Sequence, residues 1–345
     1  MVAGVLLSNL WNLKEIDLWG SMHLTDIPDL SKATKLVRVN LVTSDELTRL
    51  DLFVVRKLES LNVNSRSLKQ LELPWCPHLK EIAVVSDEIT ALKLRRSAIA
   101  SLPLLISSLP KLTLLDLSDC QDLVSLPELP PSLRLLLLDN CKNLVSLPEL
   151  PSSLDWLSVV YCISLETEMC QRLVLQQLLG PNLYDRDSKY FVFPGNHVID
   201  KCEFQTIGPS MSIPASCLNI SYLCGFIYCV IFPKKFPRIL CRGIYSTLDE
   251  VGMSVSIYED DTQLWHTRSP PVRRSPLEFA RSDHVMFGYH DLSKFDGMSE
   301  VHHPSKDVRI IFQLHEEHYD PNTITSGYGV FPVYATTSGF KLQIF

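Results

Sequence analysis

Several absences in the 345-residue sequence narrow what the protein can do. No stretch reads G-x-x-x-x-G-K-[S/T], so no Walker-type phosphate cradle is encoded. No G-x-S-x-G elbow marks a nucleophile at a strand-to-helix turn. The longest apolar run, Ser221 to Phe232, has 12 residues, against the ~20 that a helix needs to span a bilayer. The opening stretch MVAGVLLSNLWNLKEIDL lacks the basic start of a secretory signal. Positive charge is also not in excess. With 32 Lys and Arg against 39 Asp and Glu, the net charge of −7 has the wrong sign for neutralising phosphates. These absences predict no nucleic-acid partner, no membrane span and an intracellular location, cytoplasmic with the nucleus as a second site.

Aromatic residues are scarce in one half only. Residues 1–165 hold 42 of the 56 Leu but 6 of the 30 aromatics, while 166–345 hold 14 Leu and 24 aromatics. The two halves are therefore predicted to be different domains, with a boundary near residue 165. Between Leu112 and Cys162 the chain writes LTLLDLSDCQDLVSLPELPPS, then LRLLLLDNCKNLVSLPELPSS, and then begins a third copy at Leu154. The L-x-x-L-x-L opening followed by a second Leu set is the signature of a leucine-rich repeat. One such unit cannot bury its Leu face alone and must stack on its neighbours. Proline in SLPELPPS forbids a full helix on the return arm, so extended or 3₁₀ turns are expected there.

The same template fits sets beginning at Leu13, Leu36, Leu58, Leu68, Ile89, Leu112, Leu133 and Leu154, at intervals of 23, 22, 10, 21, 23, 21 and 21 residues. About eight units over residues 1–165 are predicted, with a parallel concave sheet and an irregular convex side. The 10-residue interval reads as a truncated unit. Residues facing away from the Leu core supply the candidate partner-binding set: Trp19, Arg38, Trp75, Lys93, Arg95, Arg96, Leu135, Leu137, Trp156 and Tyr161. Aromatic residues and Arg are the usual anchors of protein interfaces. For Trp156 and Tyr161, burial under the second domain is an equal alternative. Cys120, Cys141 and Cys162 recur at the ninth repeat position, which predicts buried thiols rather than disulfides. Val2 to Leu10 is expected either to cap the open end of the solenoid or to continue from upstream protein.

Residues 166–182 predict a linking helix stopped by Gly180-Pro181. From 183 to 345, short apolar or alternating runs separated by Pro, Gly, Asp and Ser predict an all-β sandwich of about eight strands. The segment RSPPVRRSP from Arg268 to Pro276 reads as an exposed loop. The run His315-Glu316-Glu317-His318 is not H-E-x-x-H, and on a strand its two His point to opposite faces, so they cannot share a metal ion. No metal set, cofactor site or catalytic constellation emerges, and the protein is not expected to be an enzyme.

The stretch LWNLKEIDLWGSMHLTDIPDLSKATKLVRVNL and the paired NLVSLPELP units resemble the repeats of plant intracellular immune receptors of the TIR-type nucleotide-binding class. The second half resembles the jelly-roll/Ig-like domain that follows those repeats. Its elements are Pro194-Gly195, Gly208 to Pro214 and Gly225 to Val230, although the Trp-Phe usual after Pro-Gly is absent. The resemblance covers essentially the whole chain, which carries neither the TIR nor the nucleotide-binding domain. It implies a recognition region that binds a pathogen protein, or a host protein altered by one, through the concave face and the loops of the C-terminal domain. A stand-alone adaptor or decoy acting on a full-length sister receptor is the alternative.

Overall fold

The computed structural model describes residues 10–178 except 28, 29, 31, 53, 54 and 74. Beyond these it describes 189–195, 204–206, 210–218, 223–232, 250–260, 262–268, 272–273, 284–292, 308–316, 327–336 and 339–342. Val2 to Asn9 of the expected cap, and Gly180-Pro181, lie outside the described residues. The chain divides into two compact units, Met1–Glu166 and Thr167–Phe345.

The first unit is a β-solenoid in which parts of the coil carry two strands per turn. One sheet is formed, among the described residues, by β1 (Glu15–Asp17), β2 (Arg38–Val42), β4 (Ser60–Asn64) and β6 (Glu81–Val85), in that order. The other runs β3 (Arg49–Asp51), β5 (Gln70–Glu72), β7 (Ala91–Lys93), β8 (Leu114–Asp116), β9 (Leu135–Leu137) and β10 (Trp156–Ser158). Pairing is parallel and in register throughout, with Leu50 opposite Leu71, Leu71 opposite Leu92, Leu92 opposite Leu115, and so on to Leu157.

This arrangement corrects the expectation of one eight-stranded face. The Leu58 and Leu68 sets do not flank a truncated unit. They belong to β4 and β5 in different sheets, and the 10-residue interval is half a turn. Two sets escaped the sequence reading, Leu47/Leu50/Leu52 on β3 and Leu79/Ile82/Val84 on β6, all buried. With them, the first sheet repeats at 23, 22 and 21 residues and the second at 21, 21, 23, 21 and 21. The template demands only that alternate residues point into the core, which is required of a strand on either flank of the coil.

The inward columns close the core. Leu36, Leu41, Leu58, Leu68, Leu71, Leu92, Leu112, Leu133 and Leu154 are fully buried, each contributing on the order of 1.5–3 kcal/mol. The ninth-position cysteines satisfy backbone that the coil would otherwise strand. The thiols of Cys120, Cys141 and Cys162 donate to the carbonyls of Leu94, Leu117 and Leu138 in the preceding turn, at 3.2, 3.2 and 3.0 Å. All three are free and buried. Burial raises the Cys76 and Cys120 thiols to about 12, so both stay protonated well above neutral pH, Cys120 as a donor. Where the later return arms replace the first sheet the chain is extended, with Ser125 bridging Ser146, and one 3₁₀ turn covers Leu104–Ser108.

The second unit opens with helix α1 (Thr167–Leu178), whose buried stripe Cys170, Val174 and Leu178 packs on the sheet behind it. That antiparallel sheet runs β12 (Phe204–Thr206), β20 (Gly327–Thr336), β14 (Leu223–Phe232), β18 (His284–Asp291) and β11 (Tyr190–Pro194), with β21 (Gly339–Leu342) also on β20. A second antiparallel sheet runs β13 (Ser210–Pro214), β19 (Val308–Glu316), β15 (Glu250–Glu259) and β16 (Thr262–Arg268), with β17 (Val272–Arg273) on β15. Phe226 of β14 meets Phe312 of β19 edge to face, at 5.0 Å between ring centroids. Part of the Arg268–Pro276 segment expected as an exposed loop is therefore strand. His315 and Glu316 lie on β19, as a strand reading of that run requires.

Candidate binding face of the repeat unit

Each strand of the second repeat sheet shows two outward residues and is followed by two more before the chain turns inward at the ninth position. Stacking in register lines these up into four columns. The first holds Arg49, Gln70, Ala91, Leu114, Leu135 and Trp156, and the second Asp51, Glu72, Lys93, Asp116, Leu137 and Ser158. The third includes Arg95, Ser118, Asp139 and Val160, and the fourth Trp75, Arg96, Asp119, Asn140 and Tyr161. With strands ~4.8 Å apart, the six-strand face is roughly 25 Å long.

Eight of the ten candidates share this face: Trp75, Lys93, Arg95, Arg96, Leu135, Leu137, Trp156 and Tyr161. Trp19 and Arg38 do not. Arg38 opens β2 of the other sheet, and Trp19, 70% exposed, follows β1 there. The single ten-residue surface read from the sequence is thus split between two sheets, because the template does not report the flank on which a strand lies.

Charged candidates are tied to the neighbouring turn. Arg38 pairs with Glu15 at 2.9 Å, Lys93 with Glu72 at 2.7 Å, Arg95 with Asp116 at 3.7 Å and Arg96 with Asp119 at 3.2 Å. Charge reversal at Arg95 and Arg96 would therefore set acid against acid across the turns, so it is not a clean probe of binding. The apolar candidates cluster at the other end, where Leu135 is 36% exposed and Leu114, Leu137 and Trp156 are half-buried.

The eighth repeat position turns the backbone left-handed on both sheets, at Gly20 and Thr43 on the first and in the fourth column of the second. Arg96, Asp119, Asn140 and Tyr161 all have positive φ, between 55° and 65°. The N–H groups of Arg96, Asp119 and Asn140 nevertheless extend the ladder into the next turn, to the carbonyls of Ser118, Asp139 and Val160. Asp and Asn tolerate this region, whereas Arg and Tyr there cost roughly 1–2 kcal/mol each. Two residues missed by sequence reasoning lie against the aromatic rings of this column. The Arg56 guanidinium lies 4.5 Å from the Trp75 ring centroid, and the Lys142 ammonium lies 5.4 Å from that of Tyr161. Both reach forward 19 residues, an offset that becomes readable only once the register is known.

Asp139 is the face's unusual acid. Burial pushes its carboxyl up to about 6, against hydrogen bonds from the Ser158 hydroxyl and from the Val160 N–H at 3.0 Å, which pull it down. Nearby Asp116 adds to the rise and Arg95 opposes it. Among the described residues no group of three or more His, Cys, Asp or Glu could hold a metal ion, and no helix is long and apolar enough to cross a membrane.

No family model matches the chain. Over 138 residues it is 33% identical to Disease resistance protein RML1A of Arabidopsis thaliana, and over 116 residues 36% identical to Disease resistance protein RPS4B of the same plant. Disease resistance protein RPP2A of that plant is 33% identical over 137 residues. The chain is a relative of the plant TIR-NBS-LRR disease resistance proteins. The likeness lies in the repeat region, and the three alignments take in 36%, 33% and 35% of this chain. The chain spans only 9% to 14% of the length of these relatives. Among solved structures, the leucine-rich repeat domain of the type III effector XopL aligns over 43% of this chain and 70% of that one. Identity there is 22% and the TM-score 0.26, so the repeat fold rests on the strand pairing described above.

Proposed function

We propose that this chain is the ligand-recognition region of a plant intracellular immune receptor. It binds a pathogen effector, or a host protein modified by one, through the outward face of the second repeat sheet. The observation that carries this reading is the composition of that face. One in-register surface offers Trp75 at 45% exposure, Leu135, Leu137 and Trp156, together with arginines held in place by inter-turn pairs. Aromatic and Arg anchors beside an apolar patch are what a protein partner uses. The relatives' names as disease resistance proteins support the defence role. The second unit is the jelly-roll/Ig-like domain of that receptor class, a reading supported by its two antiparallel sheets meeting at Phe226 and Phe312. The chain acts by binding, without a cofactor, in the cytoplasm.

The test is a screen of the purified chain against pathogen effector proteins, followed by two variants. Leu135→Ser with Leu137→Ser, chosen because an acid at 137 would face Asp116 across the turn, is expected to weaken a captured effector by about 30-fold or more. Trp19→Ser, on the other sheet, should leave affinity within about twofold. Both variants should keep the far-UV spectrum, because neither site is in the core. A binder that ignores the Leu pair but is lost with Trp19→Ser would place recognition on the other sheet and contradict the reading.

A further inference from the structure

The rim of the second sheet carries a local imbalance of charge around one ring. Trp75 lies between two guanidiniums, Arg56 at 4.5 Å and Arg96 at 5.7 Å from the ring centroid, and remains 45% exposed. Arg96 is balanced by Asp119. Arg56 and its neighbour Lys57 are exposed and enter no ion pair among the described residues. Two cations gathered on one exposed ring, with one carboxylate between them, leave a site short of negative charge. Its apolar floor is already in place, and the Arg fork geometry suits a carboxylate.

We propose that the Arg56–Trp75–Arg96 cluster is the docking point for an acidic side chain of the protein partner. The partner's carboxylate is held by Arg56 and its aliphatic stem lies against the indole. This rests on the repeat face being the recognition surface, and it adds the chemistry of the partner's contact at this rim.

A fluorescein-labelled peptide of glutamates interrupted by one leucine, with a lysine counterpart as control, tests the cluster without knowledge of the natural partner. Anisotropy titration at low salt should give saturable binding of the acidic peptide only, accompanied by movement of the Trp75 indole N–H resonance, assigned through Trp75→Phe. Arg56→Gln should weaken the acidic peptide by about threefold to tenfold. It breaks no ion pair, loses only the exposed contact with the indole, and should lower the melting temperature by no more than about 2–3 °C. Equal binding of the lysine peptide, indifference to Arg56→Gln, or an indole resonance that moves as much with inorganic phosphate would each overturn the proposal. An effector captured by the Leu135/Leu137 patch but indifferent to Arg56→Gln would overturn this docking point alone and leave the recognition face standing.

Discussion

Replacement of Asp139 by Asn should leave stability almost unchanged at pH 4 and raise it by roughly 2–3 kcal/mol at pH 7. In the folded chain burial holds this carboxyl at about 6 rather than the ordinary 3.8. A raised folded-state value means that the native state keeps the proton longer than the unfolded chain does. The contribution to stability is therefore full below about 4 and is lost as pH rises through about 6. Above that point the native state holds a half-buried carboxylate whose hydrogen bonds from Ser158 and Val160 do not offset its loss of water. Asn keeps an oxygen for both donors and carries no charge to desolvate. Urea unfolding of both proteins between pH 4 and 7.5 checks this. The gap should open in Asn's favour across that window, and a gap that stays constant with pH would mean that Asp139 is solvated.

The largest single destabilisation is expected at Gly288, on the buried sheet of the second unit. Gly288 lies opposite both Tyr190 and Tyr228 in the register. A Cβ built on it would overlap the Tyr228 ring carbon Cζ and hydroxyl oxygen. The ring thus occupies the space that a side chain at 288 would need. Tyr228 is fully buried, so it has no open space into which to swing away. Gly288→Ala should cost about 3 kcal/mol or more, from overpacking and a displaced ring. In a Tyr228→Leu background the same change should cost under about 1 kcal/mol, because the shorter side chain leaves the space open. Calorimetric scans of the four proteins measure this coupling. Additive costs would show that the ring does not lie over Gly288.

Inward Leu columns are written into the sequence because every coil strand must alternate, and they announce the repeat without tertiary information. The flank of the coil is not written there. The sets at Leu47 and Leu79 have the same form as those at Leu68 and Ile89, and only pairing puts the first of them on one sheet and the second on the other. The long strands β14, β15, β18, β19 and β20 were legible as apolar or alternating runs. Phe204–Thr206, Thr262–Arg268 and Val272–Arg273 were not, being short or rich in polar residues and held by their neighbours rather than by pattern. For the candidate face, residue types sufficed to select Trp75, Leu135 and Arg96. The partners Arg56 and Lys142, each 19 residues before its ring, become visible only when successive turns are stacked.

Recognition is assigned to one flank of a two-sheet coil. Hydroxyl-radical footprinting of the chain with and without a bound effector tests this most directly, since both flanks carry exposed, reactive side chains. Protection of Trp75, Leu135 and Trp156 with unchanged oxidation of Trp11, Trp19 and Val85 is the expected result. Protection of Trp19 and Val85 with Trp75 and Leu135 left reactive would contradict the assignment.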